Sequence, residues 1–189
     1  MSLLVAAFDV ATMTGCADGH TGGRPRSWSW DLSRAGKARP ARFAMLRDYA
    51  DRYLTENRPD CVFYERGLPM GALFAQVEKL GVQASFRMGA SDETIGFLRG
   101  AIGVLEASAA KAKIPHIEGL DVQAARRYLT GVGKFPKGKG KETVFQWCQR
   151  LGWDPANMDE SDALAIWAMG CGQMSPAMAA MTTPLFARS

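Results

Sequence analysis

This sequence has few of the side chains that build zinc sites and disulfide frameworks. Its 189 residues include four cysteines, none of them in a Cys-x-x-Cys pair, and two histidines. Cysteines scattered in this way argue against both kinds of framework and favour reduced thiols in a cytosolic protein. We interpret His20, which lies among glycines and a proline, as a turn residue rather than a ligand.

Long apolar runs and a nucleotide-binding loop are also missing. The first apolar run, residues 3–8, has no basic leader and is too short for a signal peptide or a membrane span. The glycine-rich segment 130–141 lacks the Gly-Lys-Ser/Thr ending of a phosphate-binding loop. We therefore expect a cytoplasmic protein with no membrane contact and no nucleotide cofactor. Its length predicts one domain, residues 1–172, and a tail, 173–189, whose mobility the sequence leaves open.

Positive charge is present in excess and is concentrated in two segments. The net charge is +4 and the pI is near 9.0. Residues 111–150 contain nine Lys and Arg against three acids, and residues 24–47 contain seven against one. Two basic segments indicate a polyanionic partner, most simply a nucleic-acid backbone, although a solvated surface would give the same pattern.

Two predicted strands end on a carboxylate. Residues 3–8 form an apolar run that is typical of a buried parallel strand, and the run leads into Asp9. A helical pattern over 43–54 stops at Pro59, and a second apolar strand, 61–64, then leads into Glu65. If these strands are neighbours in a parallel sheet, both carboxylates lie at one edge, where ligands bind in open α/β sheets. For a lone aspartate, turn formation remains the alternative.

The remaining pattern predicts three strands followed by alternating helices and strands. Residues 15–18 and 27–32 extend the first strand into an antiparallel meander, with Trp28 and Trp30 alternating with serines. A strand with a proline at its start, 114–118, is typical of a sheet edge. Helices are predicted over 93–113, from Asp121 to about 129, and over 141–151 and 159–169.

The 93–113 helix carries an apolar stripe and three glycines. We expect its buried stripe to be formed by Ile95, Leu98, Ile102, Leu105 and Ala109. Because glycine lowers helix stability by about 1 kcal/mol relative to alanine, Gly96, Gly100 and Gly103 indicate a close approach. Packing within the monomer and a contact between two subunits explain this equally well. Residues 66–92 are predicted to be a loop with a short helix over 73–80.

Asp159 and Asp162 lie three residues apart at the start of the last helix, on one face. Acids in a first helical turn commonly serve as caps or interact with the helix dipole. This explains Asp159 well, but it explains Asp162, which leads into an apolar run, less well.

The ordered set of motifs resembles the RuvC family of Holliday junction resolvases, in particular its divergent phage-type members. The matching pieces are Phe8-Asp9 with Thr14-Gly15, Val62-Phe63-Tyr64-Glu65, Leu98-Arg99-Gly100-Ala101-Ile102, Leu129-Thr130-Gly131-Val132-Gly133 with Lys141-Glu142-Thr143-Val144, and Asp159-Glu160-Ser161-Asp162-Ala163-Leu164-Ala165. They span residues 3 to about 170. The resemblance implies the α/β ribonuclease H-like fold, with a five-stranded mixed sheet of three antiparallel strands followed by parallel strands, flanked by helices.

The resemblance also implies a set of site residues. The family's catalytic carboxylates correspond to Asp9, Glu65, Asp159 and Asp162, and its lysine beside the scissile DNA corresponds to Lys141. A homodimer acting on a four-way DNA junction is implied as well, and the glycine-bearing face of the 93–113 helix is our candidate interface. The basic residues expected to contact DNA are Arg126, Arg127, Lys134, Lys137, Lys139 and Lys141.

Four carboxylates predict chemistry that depends on a hard divalent cation, Mg²⁺ or in its place Mn²⁺. Two such ions, about 3.5–4 Å apart, activate water and stabilise the leaving 3′ oxygen of a phosphodiester. We expect Asp9 to bridge the ions, Glu65 and Asp162 to hold one ion each, and Asp159 to complete the site. Cleavage would leave 5′-phosphate and 3′-hydroxyl ends.

The sequence departs from the family after Glu65, and other functions stay open. Family members have an aromatic residue in a short loop there, whereas the nearest candidates here are Leu68, Met70 and Phe74. The alternatives are a nuclease for RNA–DNA hybrids and a non-catalytic junction-binding module. Actin-like kinases open with a similar strand, but they need two domains, for which 189 residues are too few.

Overall fold

The computed structural model describes residues 2–67 and 92–175 of the chain. These residues form one mixed sheet and the helices that cover it. The strands are β1 (Leu4–Asp9), β2 (Met13–His20), β3 (Arg26–Asp31), β4 (Cys61–Glu65) and β5 (His116–Leu120). The helices are α1 (Arg39–Asn57), α2 (Asp92–Lys111), α3 (Val122–Thr130), α4 (Gly140–Arg150) and α5 (Met158–Met174), with a short 3₁₀ helix at Leu32–Ala35.

The sheet has the strand order β3-β2-β1-β4-β5. Strands β1, β2 and β3 pair antiparallel, whereas β4 runs parallel to both β1 and β5. The predicted five-stranded mixed sheet is therefore confirmed, and β5 is an edge strand as expected. Phe8 pairs with Tyr64 in the central parallel ladder, so β1 and β4 end side by side.

Each face of the sheet is covered by its own group of helices. The apolar core on one face includes Phe63, Leu129 and Trp167, and is covered by α3, α4 and α5. The core on the other face includes Phe8, Leu46 and Leu105, and is covered by α1 and α2. The residues of β1 from Val5 to Phe8 are completely buried because this strand has helices on both sides.

Helix α2 buries Leu105 and Ala109 of the predicted stripe, together with residues that were not predicted. Its fully buried apolar residues are Ala101, Leu105 and Ala109, and Phe97 joins them, whereas Ile95, Leu98 and Ile102 are only half-buried. At Gly100 the approach is close, because the Phe43 ring of α1 fills the space that a Cβ would occupy. The close approach is thus made by side chains within the monomer.

Several predictions lie partly or wholly outside the described residues. These are the short helix over 73–80, the candidates Leu68, Met70 and Phe74, and the tail beyond Ser175. Within the described part of the tail, helix α5 continues to Met174. Over residues 2–67 and 92–175, no helix is both long enough and apolar enough to cross a bilayer.

Candidate active site

Asp9 and Glu65 meet at the edge of the sheet where β1 and β4 end. Asp9 is the last residue of β1 and is 3% exposed, and Glu65 is the last residue of β4 and is half-buried. The two carboxyl groups lie within hydrogen-bonding reach of each other. We refer to these two residues as the strand pair.

Burial and like charge act together on Asp9. Loss of solvent raises the pKa of Asp9 well above its ordinary value, and Glu65 and Asp162 raise it further, while Lys141 opposes the shift. Two carboxylates this close repel each other when both are ionised, and a bound cation would relieve that repulsion. A raised carboxyl pKa in a cluster of this kind is characteristic of functional sites.

Asp159 and Asp162 reach the same edge from the first turn of α5. Asn157 caps this helix, since its side-chain oxygen accepts hydrogen bonds from the backbone N–H groups of Asp159 and Glu160. Asp162 is completely buried and Asp159 is half-buried. We refer to Asp159 and Asp162 as the helix pair, and their predicted position on one face is confirmed.

Lys141, in the first turn of α4, joins the two pairs. Its Nζ lies 2.7 Å from Asp159 Oδ1, 3.2 Å from Asp162 Oδ2 and 3.8 Å from Asp9 Oδ2. Burial alone would lower the pKa of Lys141, but the hydrogen bond to Asp159 and the charges of Asp162 and Asp9 outweigh it, so the pKa is raised. Lys141 is therefore charged when it lies among these carboxylates.

Arg126 is not the surface cation that we predicted. It is 8% exposed, and its guanidinium donates from Nε to Asp162 Oδ1 at 2.8 Å and from Nη2 to Asp162 Oδ2 at 2.6 Å. A bidentate pair of this kind satisfies both carboxylate oxygens. A signal for its burial was available, because Arg126 shares the i, i+3, i+4 and i+7 face of α3 with Val122, Ala125 and Leu129.

Gly15 allows α5 to lie directly on β2. A Cβ placed on Gly15 would lie 2.0 Å from the backbone oxygen of Asp159, a distance that no side chain can adopt. Since Gly15 pairs with Asp9 in the sheet, the close approach brings the first turn of α5 next to the strand pair. The sequence showed Gly15 only as the first residue of a predicted strand and as part of the Thr14-Gly15 motif.

Glu160 holds the same helical turn from the opposite side. It is 4% exposed, and its carboxylate accepts hydrogen bonds from the hydroxyls of Ser27 and Ser29 on β3. The side chain of Asn157 and the backbone N–H of Ala156 donate to it as well. All of these donors are neutral, so Glu160 attaches α5 to β3 and has no cation to exchange.

The donor chemistry of the edge fits a hard divalent cation, because all four candidate ligands are carboxylates. In residues 2–67 and 92–175, however, no three Asp, Glu, His or Cys side chains are arranged to hold a metal ion as they stand. The contacts give the reason: the Lys141 ammonium lies among three of the carboxylates, and Arg126 uses both oxygens of Asp162. Rearrangement of one lysine side chain would free Asp9 and Asp159.

The other predicted DNA contacts lie on the surface. Arg127, Lys134, Lys137 and Lys139 are all exposed. Lys139 also pairs with Glu142 at 2.7 Å. The structure therefore separates Arg126, which belongs to the buried network, from the cations that face solvent.

No model of a known protein family matches this sequence, and no curated protein sequence matches it. Solved structures do match its fold. RuvC from Thermus thermophilus is 19% identical, with a TM-score of 0.64 over 92% of this chain and 97% of that one. The same protein in complex with a Holliday junction substrate is 17% identical, with the same TM-score and the same coverage.

A third structure, the yeast mitochondrial Holliday junction resolvase Ydc2, is 13% identical with a TM-score of 0.55. This match covers 94% of the present chain and 79% of the yeast chain. At these identities the likeness concerns the fold. The chain has the ribonuclease H-like fold of RuvC-like resolvases, as the sequence predicted.

Proposed function

We propose that this protein is an endonuclease that resolves four-way DNA junctions in a reaction that depends on Mg²⁺. One observation carries the proposal: Asp9, Glu65, Asp159 and Asp162 of β1, β4 and α5 lie at one edge of the sheet, where Lys141 contacts three of them. The fold supports the choice of substrate, because solved structures that share it include a resolvase bound to a Holliday junction.

The strand pair and the helix pair would hold the cations. When bound, Mg²⁺ supplies an activated water and stabilises the leaving oxygen of a phosphodiester. The water oxygen forms a bond to phosphorus as the bond to the 3′ oxygen breaks, and a proton passes to that oxygen. The products would be a 5′-phosphate and a 3′-hydroxyl. Mn²⁺ would substitute for Mg²⁺, since it accepts the same oxygen ligands.

The protein's cations would bind and orient the DNA backbone. Lys141 is 42% exposed at its side chain, so its ammonium can turn from the carboxylates towards a phosphate at the edge. The exposed Arg127, Lys134, Lys137 and Lys139 would contact phosphates farther along the strand. Arg126 would keep Asp162 fixed and would not contact the DNA.

A homodimer would place two such edges on opposite strands of one junction. We propose that the outer face of α2 takes part in it. Among residues 2–67 and 92–175, nothing lies within 4 Å of a Cβ added to Gly103, and Ile102 beside it is only half-buried. No residue in that part of the chain fills the space at Gly103, whereas Phe43 fills the space at Gly100.

The test is cleavage of an end-labelled synthetic four-way junction, a matched duplex and an RNA–DNA hybrid, each with Mg²⁺ and with chelator. Symmetrically paired nicks in the junction, present only with Mg²⁺, are the expected result. Cleavage of the hybrid without cleavage of the junction would contradict the substrate assignment. Tight junction binding without cleavage under any metal would instead indicate a binding module.

A further inference from the structure

The two carboxylate pairs differ in what neutralises them. Within residues 2–67 and 92–175, no Lys, Arg or His side chain forms an ion pair with Glu65, and the contact of Asp9 with Lys141 is long, at 3.8 Å. The helix pair, in contrast, holds the same ammonium at 2.7 and 3.2 Å. Asp162 is held by Arg126 as well. The strand pair therefore has only one distant ion-pair contact, whereas the helix pair is held closely by two cations.

From this difference we infer that the two cation sites are unequal and fill in order. A divalent cation binds first at the strand pair, and a second binds at the helix pair only after the Lys141 ammonium has left. The inference rests on the proposed function, and it adds that Lys141 controls when the second cation can bind.

Two effects explain this order of cation binding: the oxygens of the helix pair are already occupied, and the Lys141 ammonium repels a cation. Mg²⁺ needs oxygen ligands at about 2.0–2.1 Å. Asp159 Oδ1 and Asp162 Oδ2 already form ion pairs with Lys141. Both oxygens of Asp162 also accept hydrogen bonds from Arg126. A divalent ion placed beside the ammonium would also be repelled, and this repulsion is poorly screened where Asp162 is completely buried.

A phosphate of bound DNA would attract the Lys141 ammonium away from the carboxylates. The Lys141 side chain is 42% exposed, so a backbone phosphate in the adjoining solvent could reach it. A phosphate there offers Lys141 a new anion and leaves the helix pair without its cation. The complete two-ion site would thus form only with DNA bound.

Titration of the DNA-free protein with Mn²⁺, with free Mn²⁺ counted by electron paramagnetic resonance, tests this order. The wild type should bind one ion per chain tightly. In Lys141→Met the second site should bind tighter by about tenfold or more, because a like charge has been removed beside it. Lys139→Met is the matched control. It removes an exposed lysine two positions away that pairs with Glu142, and it should titrate like the wild type.

Two equal sites in the wild type, or a Lys141→Met titration identical to that of Lys139→Met, would overturn the inference. Asp9→Asn should lose the tight site, and thermal melting of each variant would show that it folds. If the wild type binds two ions equally and still cleaves junctions, this inference fails while the proposed function stands. Absence of Mn²⁺ binding in every variant would contradict both.

Discussion

Asp159 and Glu160 are adjacent acids in the first turn of α5, yet they face opposite sides of the molecule. Glu160 points to β3, where serine hydroxyls and amide groups satisfy its carboxylate. Asp159 points to the sheet edge, where the Lys141 ammonium holds it. Neutral donors hold Glu160 in the fold, whereas the proposed function requires Asp159 to exchange the Lys141 ammonium for a metal ion.

The same division separates Arg126 from Arg127 on α3. Arg126 is buried against Asp162, and Arg127 is exposed. In both adjacent pairs the two residues carry the same kind of charge, so the surroundings alone decide whether a side chain supports the fold, the site or the DNA contact. The following predictions test that division, in order of decreasing effect.

Replacing Arg126 should have the largest effect on stability. Arg126→Ala leaves the fully buried Asp162 without its bidentate partner, and the loss of one member of a buried ion pair lowers the free energy of unfolding by about 3–5 kcal/mol. Arg127→Ala, at the exposed neighbour, should stay within about 0.5 kcal/mol of the wild type. Urea denaturation measures both. Equal stabilities for the two variants would contradict the assignment of Arg126 to the buried network.

Replacing Glu160 should lower stability, whereas replacing Asp159 should lower activity. Glu160→Gln replaces a carboxylate that accepts several hydrogen bonds, and we expect it to lower the free energy of unfolding by about 1.5–3 kcal/mol. Its cleavage of junctions should be retained at temperatures where it is folded. Asp159→Asn should have the reverse effect: cleavage is lost, and stability changes by about 1 kcal/mol or less, as for a partly exposed ion pair. Loss of cleavage in both variants would contradict the assignment of Glu160 to the fold and of Asp159 to the active site.

The raised pKa of Asp9 should appear in the pH dependence of stability. Because the pKa of Asp9 is raised in the folded protein, the folded state binds this proton more tightly than the unfolded state does. Asp9 therefore lowers stability as the pH rises from its ordinary pKa to the raised one, by about 1.4 kcal/mol for each pH unit between the two values. Asp9→Asn should lack this part of the pH profile. Parallel melting-temperature profiles for the two proteins would contradict it.

The exposed lysines should have the smallest effect on the protein itself. Lys134→Ala combined with Lys137→Ala should leave the melting temperature unchanged and weaken junction binding. If each lysine contacts one phosphate, the slope of log affinity against log salt should fall by about 1 per lysine. Fluorescence anisotropy over a range of salt concentrations measures this. An unchanged slope would place the DNA elsewhere on the surface.

Much of this fold and most of its site could be predicted from the sequence, because the signals are local. Apolar runs that end in Asp9 and Glu65 identify two central strands, and Asp121 caps α3 as expected. The resemblance placed Lys141 at the site, and the structure brings its ammonium there. The strands and the helix cap depend on short stretches of chain, whereas the place of Lys141 came from the ordered set of motifs.

The remaining features depend on residues far apart in the sequence. Glu160 receives hydrogen bonds from serines more than 130 positions away, and the space at Gly15 is limited by the backbone of Asp159. The space at Gly100 is likewise filled by Phe43 of another helix. Only the packed molecule contains this information, whereas the burial of Arg126 could have been inferred from the period of α3.

The most direct measurement compares wild type and Asp9→Asn on one labelled four-way junction, with binding and cleavage recorded in the same reactions. Removing a preorganised group from the reacting centre should lower the cleavage rate by roughly 10²–10³-fold or more. Junction affinity should stay at the wild-type level, since Asp9 is buried and the side chain keeps its size. Full cleavage by Asp9→Asn would contradict the assignment of this edge as the active site.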